Sequence, residues 1–114
     1  MRKAVRELPP VRSHQWVDFV DLMMHRAIAR KIRREPKLFN RARRNISRWE
    51  KRNRGCSQPL REWKEILQAN EMPEVLRLIT RANDEGDRLR QCSPFVGVLT
   101  QVEVKKIWAR YDQE

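Results

Sequence analysis

Apolar residues recur along the chain at three- and four-residue intervals and never alternate over the length of a strand, which is the period of helices. Ser13 stands where an N-cap belongs. Val17, Val20, Met24, Ala27, Ile28 and Ile32 then share one face, predicting a helix over about 14–34. Pro36 suits a first helical turn and opens a second helix, on which Leu38, Ala42, Ile46 and Trp49 fall within about 80° of arc. Gly55 offers that helix a C-terminal cap. Ser57 and Pro59 open a short helix over 58–69 whose buried set is Leu60, Trp63 and Leu67, and Pro73 opens another over 73–82 with Val75, Leu76 and Ile79. Asn83 to Gly86 reads as a turn or break before a polar helical piece through Arg88, Leu89 and Gln91. Ser93-Pro94-Phe95 halts that piece, and Val96 to Leu99 makes a tight apolar loop. Thr100 and Glu103 then form a capping box for a last helix carrying Val102, Ile107, Trp108 and Tyr111. The fold class expected is all-α, a single compact bundle of five or six helices over 14–114. A flexible basic arm, 1–13, precedes it, because Pro9-Pro10 cannot continue a helix.

Charge changes this picture more than composition does. The 114 residues carry a net charge of +11, and the excess is confined to one half: residues 1–55 hold 17 Lys and Arg against 5 Asp and Glu, whereas residues 56–114 hold 9 against 10. Such a block calls for a polyanion or an acidic protein surface as partner. On the second helix Lys37, Arg41, Arg44, Arg48, Lys51 and Arg52 occupy an arc of about 100°, separate from the apolar stripe. Arginines on one helical face can follow a nucleic-acid backbone and release its counterions, so these six are the candidate nucleic-acid or anion-binding residues. The plainer alternative is a solvated face. Local neutralisation is scarce, since Glu35 and Glu50 are the acids near in sequence. No helix-turn-helix, ribbon or finger pattern accompanies the stripe, so sequence-specific readout has less support than backbone binding.

Catalytic chemistry has little to stand on. The chain has no phosphate-binding glycine loop, nucleophile elbow or zinc-protease helix motif. His14 and His25 lie 11 residues apart, three turns of one helix, too far to share a metal, and neither metal nor cofactor is expected. His25, beside Met23 and Met24, reads as a hydrogen-bonded packing residue. An RNA-processing site built from His25, Glu50 and an arginine is the enzyme-class alternative. Cys56 and Cys92 have no metal-ligand spacing and read as reduced thiols of a cytoplasmic protein. The first twelve residues lack the apolar core of a secretory signal, and no apolar run is long enough to span a membrane.

The segment Arg88 to Thr100 admits two readings. Phe95 and Val96 could be an exposed anchor for a partner protein, or the loop could fold inward and plug the bundle, with Gly97 supplying a positive φ. From about Leu22 to Tyr111 the chain also resembles a family of small helical bacterial proteins. The likeness rests on His25-Arg26, Glu35-Pro36, the run Ala42 to Trp49, Trp63 with Ile66-Leu67, and above all the run Arg88 to Leu99. The basic arm lies outside it, and Cys92 departs from the small polar residue expected there. The resemblance implies a gene beside a nucleotidyltransferase-like or toxin-type enzyme. It implies a non-enzymatic, antitoxin-like partner of that enzyme, and no catalytic residue carries over. In that leading expectation Arg88, Arg90, Ser93, Pro94, Phe95 and Val96 bind the protein partner, while the cationic stripe takes nucleic acid or an acidic surface. A stand-alone nucleic-acid-binding protein using the 37–52 face is the alternative.

Overall fold

The computed structural model describes residues 13–52 and 57–112. They form six α-helices and no strand among the described residues: α1 His14–Arg34, α2 Asn40–Arg52, α3 Gln58–Ala69, α4 Met72–Ile79, α5 Asp84–Gln91 and α6 Gln101–Tyr111. This is the all-α bundle that the periodicity predicts. Of the arm expected over 1–13, only Ser13 falls among the described residues, and it serves as the N-cap of α1, its hydroxyl accepting from the Trp16 N–H. Gly55 and Cys56 also lie outside them.

Several boundaries differ from expectation for local reasons. Residues Pro36–Phe39 form a 3-10 turn, and the α-helix begins only at Asn40. The Leu38 N–H closes on the Glu35 carbonyl at 2.9 Å, the tighter hydrogen-bond pattern, so Lys37 is off the helical register that a continuous wheel assumes. Helix α4 stops at Ile79, where the Thr80 N–H closes on the Arg77 carbonyl at 3.3 Å and the Thr80 hydroxyl turns back onto the Leu76 carbonyl at 2.8 Å. The supposed break at 83–86 is a helix start. Asn83 caps α5 by accepting from the Gly86 N–H at 2.8 Å, and a Cβ on Gly86 would lie 2.3 Å from the Arg81 carbonyl oxygen. The capping box of α6 is present as read.

The core gathers Ile28, Ala29 and Ile32 of α1, Ala42 and Ile46 of α2, Leu60, Trp63 and Leu67 of α3, and Val75, Leu76 and Ile79 of α4. The loop after α5 adds Phe95, Val98 and Leu99. Trp63 is fully buried and its indole N–H donates to the Leu89 carbonyl at 3.0 Å, so the largest apolar group in the core leaves no polar atom unpaired. Helix α1 buries a broader face than its apolar stripe suggests, including Trp16, Leu22, His25 and Ala29. The cause is its position: it packs against α4 and α5 on one side and α6 on another. At its N-terminal end a second aromatic group forms, where Trp16 meets Trp108 and Phe19 meets Tyr111 edge-on at 5.2 Å. The Trp16 indole donates to the Tyr111 carbonyl at 2.9 Å, while Lys31 near the other end of α1 pairs with Glu103 at 2.8 Å. Helices α1 and α6 therefore run antiparallel.

Candidate functional site

The six cations expected to share one stripe have three different environments. Arg44, Arg48, Lys51 and Arg52 project from α2 into solvent, and none makes a hydrogen bond or ion pair among the described residues. Lys37 is exposed on the 3-10 turn. Arg41 is half-buried, with its guanidinium laid against Gly97 and one nitrogen donating to the Gly97 carbonyl at 3.4 Å. Gly97 has φ +92°, the left-handed backbone that favours glycine, and a Cβ there would come within 3.3 Å of the guanidinium. Arg41 is thus part of the packing of the loop. Glu50, an acid on α2, is engaged across the helix pair by Lys64 of α3 at 2.8 Å and does not neutralise the stripe.

The apolar loop folds inward. Phe95 is 1% exposed, lodged against Trp63 and Phe39 with ring centroids 6.0 Å from each. Pro94 is buried beside it. These two cannot meet a partner as expected, because they already fill the core. Three polar groups hold the loop in place. Asn45, buried on α2, donates from one amide nitrogen to the carbonyls of Pro94 and Val96, both at 2.8 Å. Ser93 pairs with His25 at 2.8 Å. Arg90, also expected at the partner surface, is buried: it donates to the carbonyls of Ile79 and Arg81 at 3.1 and 2.7 Å and to Asp87 at 2.5 Å, fastening the α4–α5 turn. Arg88 stays exposed in a two-pronged pair with Glu62 of α3. Val96 alone of the expected apolar contacts faces solvent, 65% exposed.

His25 shows why the loop takes this path. Its Nδ1 lies 2.8 Å from the Asp21 carbonyl, which can only accept, so Nδ1 carries the proton and Nε2 accepts from the Ser93 hydroxyl. Burial pushes the His25 pKa down to about 4, against a smaller upward pull from the Asp21 carbonyl. The Asp21 carboxyl is raised to about 6, first by burial and then by Asp18, with Arg90 opposing. Ser93 with His25 has the outline of a nucleophile and base. Yet the Ser93 oxygen also accepts from the Phe95 N–H at 3.2 Å, and a base of pKa about 4 is far from matched to neutral pH. The pair acts as a pin. Glu50 lines a different groove from His25, so the residues of the RNA-processing alternative are not brought together. Among the described residues no group of three or more His, Cys, Asp or Glu could hold a metal, and no helix is long and apolar enough to cross a membrane.

A second cationic surface escaped the sequence reading. Between α1 and α6 runs a groove of about 410 Å³, with Arg26, Arg30 and Arg34 along one rim and Lys106 and Arg110 along the other. The signal was present, since both sets repeat every four residues. Only the pairing of two helices distant in sequence makes them one surface. No family model, no curated protein and no solved structure matches the chain.

Proposed function

We propose that this protein is a non-catalytic binding protein whose ligand is a nucleic-acid backbone, held by the exposed cations of α2. The observation that carries the reading is the state of Arg44, Arg48, Lys51 and Arg52: four solvated positive charges on two turns of helix, with the adjacent acid Glu50 already spent on Lys64. Successive charges four residues apart rise about 6 Å along the helix, and such a row neutralises phosphates without reading bases. Affinity should fall steeply with salt, with a log–log slope of about −0.9 per phosphate contacted on duplex DNA.

The test is binding of a labelled duplex and of a single-stranded RNA by fluorescence anisotropy across a salt series, for the wild type and for Arg44→Glu/Arg48→Glu/Lys51→Glu. Arg41 is left intact because its replacement would disturb Gly97. Loss of binding in the triple variant, with an unchanged circular dichroism spectrum, is the expected outcome. Undiminished binding removes α2 from the argument.

An antitoxin-like accessory protein of a neighbouring toxin-type enzyme is the second reading. It draws on the resemblance and on Val96, an apolar residue exposed at the tip of a loop fastened by Asn45 and Ser93. It ranks below the first because Phe95 and Pro94, the anchors it needed, are buried. Co-purification of the adjacent gene product, lost on Val96→Asp, is its test.

A further inference from the structure

We infer that the groove between α1 and α6 docks an acidic amphipathic helix of a partner protein. This proposal uses different residues from the nucleic-acid reading and stands independently of it. Helix α6 has no buried residue, although Val104, Ile107, Trp108 and Tyr111 all lie on it half-buried and Val102 is 62% exposed. A helix of a finished bundle buries its apolar stripe fully, whereas that of α6 is only half-buried against α1 and the core. Together with α1 it forms an open two-helix layer, the arrangement onto which a third helix packs at about 8–10 Å.

Floor and rims of the groove specify that third helix. The floor is aliphatic, from Met23 and Ala27 of α1 and Ile107 of α6, and calls for an apolar seam. Arg26, Arg30, Arg34 and Lys106 make no hydrogen bond or ion pair among the described residues, whereas the acid lining the groove, Glu103, is taken by Lys31. From Arg26 to Arg34 the rim extends about 12 Å, two helical turns, with a charge about every 6 Å. Carboxylates repeating every four residues beside an apolar seam match both spacings, the helix-in-groove mode of recognition. A nucleic-acid backbone would satisfy the rims but leave the aliphatic floor uncovered. This chain's own acidic helix, α5, cannot fill the groove of a second copy with its apolar residue, because Leu89 is buried in the core.

The probe is a labelled 18-residue designed peptide with leucines at i, i+3, i+4 and i+7 and glutamates flanking the seam, titrated with the full chain by fluorescence anisotropy. A scrambled peptide and a lysine-flanked one serve as controls. We expect binding at least about tenfold tighter than either control, and a loss of about tenfold or more in the Arg30→Glu/Lys106→Glu variant. The Arg44→Glu/Arg48→Glu/Lys51→Glu variant should bind the peptide like the wild type, which separates failure of this proposal from failure of the nucleic-acid reading. No preference for the glutamate peptide, or equal binding by the groove variant, overturns the proposal. So does loss of oligonucleotide binding in the groove variant without loss of peptide binding. Sedimentation showing self-association that the same variant abolishes would assign the groove to a second copy and overturn it as well.

Discussion

Replacing Phe95 separates two accounts of the apolar loop by an amount well outside experimental error. In the structure the ring is enclosed, in contact with both Trp63 and Phe39. Truncation of a buried phenylalanine costs about 3–5 kcal/mol through lost transfer energy and the cavity left behind. The two aromatic contacts contribute about 0.5–1.5 kcal/mol each beyond burial, which places Phe95→Ala at the upper end, about 4–5 kcal/mol. For a chain of this size that corresponds to a fall in Tm of roughly 15–20 °C. It consumes much of the 5–15 kcal/mol that stabilises an ordinary domain. An exposed anchor would instead cost within about 0.5 kcal/mol on truncation. Urea unfolding followed at 222 nm measures the difference directly. Phe95→Leu, expected to cost about 1–2 kcal/mol, keeps the comparison measurable if the alanine variant does not fold. A loss below about 1 kcal/mol for Phe95→Ala would refute the buried-plug account.

Asn45→Ala leaves the carbonyls of Pro94 and Val96 without their shared donor, and should cost about 2–4 kcal/mol in the same urea experiment; a cost under 0.5 kcal/mol, roughly the value for a surface site, would contradict the clamp. Gly86→Ala drives a Cβ into the Arg81 carbonyl, so it should destabilise although it adds a better helix former; a neutral or stabilising result by thermal melting would refute the close approach. The pinned histidine fixes a pH dependence. With a folded pKa of about 4 below an unfolded value of 6.5, the folded protein binds fewer protons, so this contribution is complete above pH 6.5 and lost as pH falls toward 4, about 3 kcal/mol in all. Its ring signals should titrate near pH 4 by NMR, and a midpoint near 6.5 would place the ring in solvent. Asp21 acts with the opposite sign: its raised pKa means stability lost as pH rises from about 4 to 6. Asp21→Asn should therefore melt at the same temperature as the wild type at pH 4 and at a higher one at pH 8. A constant difference in Tm would dismiss that burial.

The sequence alone determined whatever depends on groups within one or two turns of each other. Ser13, Ser57 and Thr100 cap the helices they were read to cap, because a capping oxygen and its N–H are three residues apart. The apolar sets of α3 and α4 were legible for the same reason, as periodicity is local. The cationic stripe of α2 was legible in large part: it lost Lys37 because a 3-10 turn winds more tightly than the wheel supposes, and Arg41 because the guanidinium lies on Gly97, 56 residues away in sequence. Tertiary structure decided everything that required two distant segments to meet. Asn45 and Pro94 are 49 residues apart, and His25 and Ser93 are 68 apart, so nothing near any one of them announces the clamp. A polar residue at such a place satisfies backbone that the fold would otherwise bury unpaired, which is why a loop with the composition of a binding anchor became core. The same rule worked in reverse at the surface. Arginines on α1 and cations on α6 read as ordinary solvated residues until antiparallel packing set them as two rims of one groove.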